Sequence, residues 1–281
     1  MPKFETPDPI SAAVDLITGD VRISAGDTTT TVVEVRPSDP SDEQDVRAAD
    51  TTHVECARGR LVVKGPRTRS WLPRRGGGSI DVTIEMPAGS HLEGTGHSAD
   101  FTCDGRIGDC RIKTGRGQLR IGQAATVSVK SAMGDVTVDH ATGDVEVSLA
   151  SGDVRLGEVD GAVVVKNANG DTWVGTVRRD VRVSGANGDI AVDVADAGVG
   201  AKTANGAIRV SDVARGSVVL QTHSGDVEVG IREGSAAWLD VNATAGNILN
   251  ELAAVAAPEP AAATVEVRAR TTVGDVLIRR P

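Results

Sequence analysis

Met133-Gly134-Asp135-Val136-Thr137-Val138 is followed by Ser151-Gly152-Asp153-Val154-Arg155-Leu156, then by Asn169-Gly170-Asp171-Thr172-Trp173-Val174 and Asn187-Gly188-Asp189-Ile190-Ala191-Val192. Asn205-Gly206-Ala207-Ile208-Arg209-Val210 and Ser224-Gly225-Asp226-Val227-Glu228-Val229 complete the series. The glycines at 134, 152, 170, 188, 206 and 225 are separated by 18, 18, 18, 18 and 19 residues. A fixed period of this size marks a repeat architecture, in which one unit cannot bury its apolar face alone.

Each period holds two strand-like segments. One gives the columns Val136, Val154, Thr172, Ile190, Ile208, Val227 and Val138, Leu156, Val174, Val192, Val210, Val229. The other gives Val127, Val145, Val163, Val181, Val199, Val218 and Val129, Val147, Val165, Val183, Ala201, Leu220. Polar residues such as Thr137, Arg155, Arg182 and Glu228 alternate with them, which is the period of a half-buried strand. The two segments begin nine residues apart, at Val136 and Val145. Nine is odd, so strict alternation would send them to opposite faces, and one shared core requires the backbone to bend between them. The glycine column supplies such a bend, because glycine adopts positive φ without a Cβ clash.

Two bends per period let a turn of chain close on itself, and turns stacked at the ~4.8 Å strand spacing bury a continuous column. Four inward side chains per coil are expected, each contributing roughly 1.5–3 kcal/mol on burial. Asn-Gly is also a strong hairpin signal, so an antiparallel meander turning every nine residues is the rival. The parallel stack is preferred because identity is best at the full step: Lys130, Lys166 and Lys202 match, with Ser148 and Ser184 between them.

The chain of 281 residues has room for one long solenoid or two ordinary domains. With no Tyr, two Phe and three Trp, it suits a slim core of Val and Ala better than a large globular one. A net charge of −9 favours solubility and weighs against nucleic acid as a partner. Met1–Asp8 lacks the basic start and apolar stretch of a signal peptide, and the longest apolar run, about Leu252 to Pro258, is too short for a membrane helix. Three cysteines fit a reducing compartment, and a cytoplasmic protein without a transmembrane segment is expected.

Residues 1–95 read as strands outside the strict repeat, at Ala13–Ile17, Asp20–Ser24, Thr30–Arg36, His53–Ala57, Arg60–Lys64 and Ser79–Met86, with a helical turn over Asp42–Ala49. They are expected to form a β-rich cap over the first coil, since a bare solenoid end is a template for pairing. Between the last two strands lies a basic stretch, from Lys64 to Gly78, in an otherwise acidic chain. Arg67, Arg69, Trp71, Arg74 and Arg75 make it the candidate contact for a protein partner. Residues 96–250 form the regular solenoid in this reading. Cys103 and Cys110 fall in inward columns, where cysteine acts as a small hydrophobe. Residues 251–281 comprise an Ala/Pro-rich loop and closing strands, Val265–Arg270 and Val273–Ile278, expected to cap the far end.

The column Asp135, Asp153, Asp171, Asp189 and Asp226, broken by Ala207, is the obvious place to look for chemistry. Stacked carboxylates bind Ca²⁺ in nonapeptide rolls, but those carry a longer glycine phrase, so each Asp is expected to bond the backbone of its own turn. The histidines at 53, 91, 97, 140 and 223 form no spaced set, and no Ser-His-Asp order, phosphate loop or dinucleotide fingerprint is present. No catalytic, metal-ligating or cofactor-binding residue is assigned, and no cofactor is expected.

The repeated Ser/Asn-Gly-Asp-Val phrases, the segment Ser79-Ile80-Asp81-Val82-Thr83-Ile84-Glu85-Met86-Pro87-Ala88-Gly89 and the closing Thr271-Thr272-Val273-Gly274-Asp275-Val276 resemble the bacterial β-strand-repeat family labelled "putative adhesin", a domain of unknown function. The resemblance covers nearly the whole chain and implies a β-helix. The expectation is therefore an all-β chain: a right-handed parallel β-helix, or β-solenoid, of about 18 residues per coil with an N-terminal β-rich cap. A non-enzymatic scaffold or protein-interaction module is the expected role. The alternatives are an adhesin-like surface protein and a carbohydrate-active β-helix enzyme.

Overall fold

Val145, Val163, Val181, Val199 and Val218 lie beside one another in successive parallel strands. Ser148, Lys166, Ser184 and Lys202 align in the same register, so the chain stacks coil on coil and the meander is excluded. The computed structural model describes residues 2–66, 78–252 and 263–281. They fall into two units, Met1–His140 and Ala141–Pro281.

The first unit contains β1 (Lys3–Glu5), β2 (Ser11–Gly26), β3 (Thr30–Pro37), α1 (Glu43–Thr51), β4 (His53–Ala57), β5 (Arg60–Lys64), β6 (Ile80–Pro87), β7 (His91–Arg116) and β8 (Leu119–Met133), and the boundary falls at the last residue of β9 (Val136–Ala141). The expected strands at Ala13–Ile17 and Asp20–Ser24 are the two halves of β2, which forms a coil by itself. One edge of β2 pairs in parallel with β5 and then β6, and the other edge pairs with β7. Strands made later therefore flank the coil made first.

The outer coil, β5 with β6, is closed by antiparallel strands: β4 lies along β5, β3 along β6, and β1 along β3. The cover expected from this part of the chain is thus present, but only β1, β3 and β4 supply it with strands. Under it Leu61, Val63 and Ile84 are fully buried. Phe101, the bulkiest fully buried side chain, fits this narrow core because Gly94 faces its ring. A Cβ on Gly94 would stand 2.7 Å from the ring edge.

The second unit alternates strands on two faces. One face holds β10 (Val145–Ser151), β12 (Val163–Asn169), β14 (Val181–Asn187), β16 (Val199–Asn205) and β18 (Gly216–Ser224). The other holds β11 (Val154–Val159), β13 (Thr172–Val177), β15 (Ile190–Ala195), β17 (Ile208–Val213) and β19 (Val227–Ile231). One coil, β12 with β13, buries Val163, Val165, Asn167, Thr172, Val174 and Val177. Six inward positions replace the four expected. The additional ones belong to the column Ala141, Val159, Val177, Ala195, Val213, Ile231 and to the polar position held by Asn167, Thr203, Thr222 and Thr271.

Two constraints fix the glycine corner. Gly170 sits at φ +127°, and a Cβ there would lie 2.1 Å from the carbonyl oxygen of Gly152 in the neighbouring coil. Gly188 repeats both features against Gly170, at φ +127° and 2.2 Å. Backbone conformation and close approach each exclude a side chain.

The last four strands are β20 (Ala236–Ala245), β21 (Ile248–Asn250), β22 (Thr264–Val273) and β23 (Val276–Arg279). The expectation that the strands Val265–Arg270 and Val273–Ile278 cap the far end is corrected by their order. β22 pairs with β18 on one side and β20 on the other, and β23 lies likewise between β19 and β21. The closing strands are wedged inside, and β20 with β21 forms the outermost coil.

Candidate interaction surface

The aspartate column carries out structural work between coils. Asp153 Oδ1 accepts the N–H of Asp171 at 3.0 Å, Asp171 that of Asp189 at 2.9 Å, and Asp189 that of Ala207 at 2.8 Å. Asp226 does the same for Asp275, and Asp275 for Asn247. Each carboxylate therefore serves the next coil in the stack, not its own turn as expected. Spacing alone hides this, because a turn residue and the residue stacked on it occupy the same column. Ala207 donates its N–H to Asp189 but offers no carboxylate to the next coil, so the series stops there and resumes at Asp226.

Beside this column runs a ladder of amides. Asn187 Nδ2 donates to Asn169 Oδ1 at 2.8 Å, and Asn205 Nδ2 to Asn187 Oδ1 at 2.9 Å. The outer faces add ion pairs between coils: Arg178 with Glu158 and Asp160, and Arg232 with Asp196 and Asp212. Glu228 lies between Arg209 at 2.6 Å and Arg279 at 2.7 Å. Its burial alone would raise the pKa, but hydrogen bonds and charge from the two arginines outweigh that and hold the carboxyl below the ordinary glutamate range. In the first unit Asp20 stands between Asp81 and Asp100 in register, and burial followed by repulsion from those two carboxylates raises its pKa.

The predicted contact residues Arg67, Arg69, Trp71, Arg74 and Arg75 lie outside the described residues. What the structure gives is the anchorage of the segment that carries them, which joins β5 to β6. At its start Gly65 N–H donates to the Asp15 carbonyl at 2.9 Å. At its end Ser79 N–H donates to Asp45 Oδ1 at 2.6 Å, and Asp45 Oδ2 accepts the N–H of Asp39. Asp45 is buried on α1, whose N-cap Asp42 accepts the N–H of Gln44. Gly78 packs so closely on this helix that a Cβ would lie 2.2 Å from the Gln44 carbonyl oxygen. The helix expected over Asp42–Ala49 thus has a job that sequence reasoning missed: it pins the exit of the basic segment.

Cys103 and Cys110 occupy inward columns as expected, beside Ile121 and Val127, and both are buried. Hydrogen bonding with the Cys110 thiol, then burial, pushes the Cys103 thiol well above the ordinary range. Among the described residues no group of three or more His, Cys, Asp or Glu is placed to hold a metal ion, and no helix is long and apolar enough to cross a membrane. An open depression of about 500 Å³ runs over Gly198, Gly200 and Gly216, where side chains are missing from the outer face, with Arg182 and Arg215 at its rim.

The family model described as Toastrack DUF4097 matches residues 12–279. Among solved structures, a putative adhesin from Bacteroides fragilis NCTC 9343 is 12% identical, with 99% of this chain and 95% of that chain covered at a TM-score of 0.41. A putative cell adhesion protein from Clostridium sporogenes ATCC 15579 is 10% identical, with 100% and 98% covered at 0.25. A putative adhesin from Parabacteroides distasonis ATCC 8503 is 12% identical, with 100% and 95% covered at 0.26. No curated protein matches the chain.

Proposed function

The chain belongs to the Toastrack DUF4097 family, and from that premise we propose that it is a non-enzymatic β-solenoid scaffold, a cytoplasmic module that binds a protein partner. The observation that carries this reading is the use made of the acidic column: Asp153, Asp171, Asp189, Asp226 and Asp275 each hold the backbone of an adjoining coil. Carboxylates fixed in this way act as part of the framework, leaving the flat outer strands for recognition. The segment containing Arg67, Arg69, Trp71, Arg74 and Arg75 supplies positive charge on a chain of net charge −9, between two anchored ends, and is the proposed contact with an acidic partner surface.

The test is affinity capture from native cytoplasm with the intact chain and with a variant carrying serine at positions 67, 69, 74 and 75. A partner retained by the intact chain and lost with the arginines supports the reading. Equal capture by both would remove the segment from the proposal. Cleavage of a polysaccharide by the purified chain would overturn the non-enzymatic assignment, and recovery of the native protein at the cell surface would favour an adhesin.

A further inference from the structure

The end coils of the two units are finished differently. In the first unit β3 and β4 run antiparallel along β6 and β5, and Leu61, Val63 and Ile84 beneath them are 0% exposed. In the second unit β20 and β21 pair only inward, with β22 and β23, and no strand borders their other edge among the described residues. The core column is open there. Val276 is fully buried, whereas Ile248, next in register, is 50% exposed; on the outer face of the same coil Trp238 and Leu249, in register with Glu266 and Leu277, are 54% and 55% exposed. An unpaired strand edge with apolar side chains beside it is a template for strand addition.

We propose that the edge of β20 and β21 is an interface between two copies of this chain, with β20 antiparallel to the same strand of the second copy. Three features point to a second copy. Ala236–Asn250 carries one ionisable side chain, Asp240, already paired with Arg270 at 3.7 Å. The segment has none of the lysines, arginines or prolines that blunt natural edges, so two such edges meet without like-charge repulsion even though each chain is acidic. A two-fold axis perpendicular to the strands sets equivalent strands antiparallel, the direction in which β3 and β4 cover β6 and β5. The ten residues of β20 give about ten main-chain hydrogen bonds in such a ladder, the number a stable interface carries. Joined across a two-fold axis, the two β20–β21 edges cover each other, so this contact closes as a pair.

Sedimentation equilibrium and light scattering of the full chain over a range of concentrations test the interface. The intact protein is expected to form a reversible dimer. A variant combining Trp238→Lys and Ile248→Lys is expected to dissociate at least about a hundredfold more readily, through juxtaposed like charges. Because both positions are exposed, melting at dilutions where both proteins are monomeric should be unchanged. Amide exchange over 236–250 in the unaltered chain is the second readout, with protection that rises with concentration. A monomer at every concentration, which is the result if residues 253–262 or another protein cover this edge, overturns the proposal. So does a dimer indifferent to the two lysines, or growth into open-ended filaments.

Discussion

Asp171 accepts the backbone N–H of Asp189 through Oδ1 at 2.9 Å, eighteen residues along the chain and one coil away in space. This bond satisfies an amide at the glycine corner, where the strand ladder is interrupted. Asp171→Ala should cost about 0.5–1.5 kcal/mol in urea denaturation, the net worth of an ordinary hydrogen bond, because the carboxylate is solvent-exposed. Asp171→Asn, which retains an acceptor oxygen, should cost less. Neither calcium nor a chelator should move the Tm of the unaltered chain. A rise of several degrees with calcium would show that the column binds the cation.

Val165 is fully buried between Val147 and Val183 of adjoining coils. Val165→Asp places an unpaired charge where its neighbours on both sides are apolar, and about 4 kcal/mol or more should be lost. Circular dichroism should show collapse of several coils, because each coil has little to hold it apart from its neighbours. An unchanged Tm would contradict the stacked core.

Asn167 is buried, and its Nδ2 donates to the carbonyls of Gly152 and Gly170, both at 3.0 Å. Its Oδ1 has no protein partner. Elsewhere in this column a threonine hydroxyl does the same work, Thr222 donating to Gly206 and Thr271 to Gly225, each at 2.9 Å. Asn167→Thr keeps a donor and removes the unpaired acceptor, so stability should rise by about 1 kcal/mol. A loss instead would mean that a buried water already satisfies Oδ1.

Glu228 gives a pH test. Burial works against its charge, but Arg279 and Arg209 prevail and lower its pKa in the folded chain. A depressed carboxyl pKa stabilises the fold above the unfolded value, and that contribution disappears as pH falls through the folded value. Arg209 is 65% exposed and Arg279 38%, so solvent screens the pair and Glu228→Gln should cost about 0.5–1 kcal/mol at pH 7. The cost should shrink as pH falls below the ordinary glutamate range and through the depressed folded value. Chemical denaturation of both proteins across that range measures it, and a difference that widens on acidification would refute the pairing.

How much of this was legible beforehand depends on which residues carry the signal. Val145, Val163 and Val181 are identical at the repeat step, so the parallel register could be read before the fold was known. Gly170 and Gly188 announced the corner in the same way. The position of Asn167 stayed hidden because an amide, a glycine and threonines share one column, and no polarity pattern marks that column as inward. The wedge at the second unit's end was hidden for another reason: Val267 pairs with both Val218 and Leu239, and strand order across such distances has no local signature. The contact segment was visible only as composition, while the carboxylate of Asp45 that anchors it sits 34 residues from Ser79.

The interleaving of β22 and β23 between coils made earlier has a consequence for biosynthesis. As the polypeptide emerges, β20 and β21 have no adjoining partner until later residues arrive and slide beneath them. Translation pauses between Asn250 and Thr264 should therefore prolong a protease-sensitive stage, and the second unit should complete its closure abruptly once β23 is free to dock.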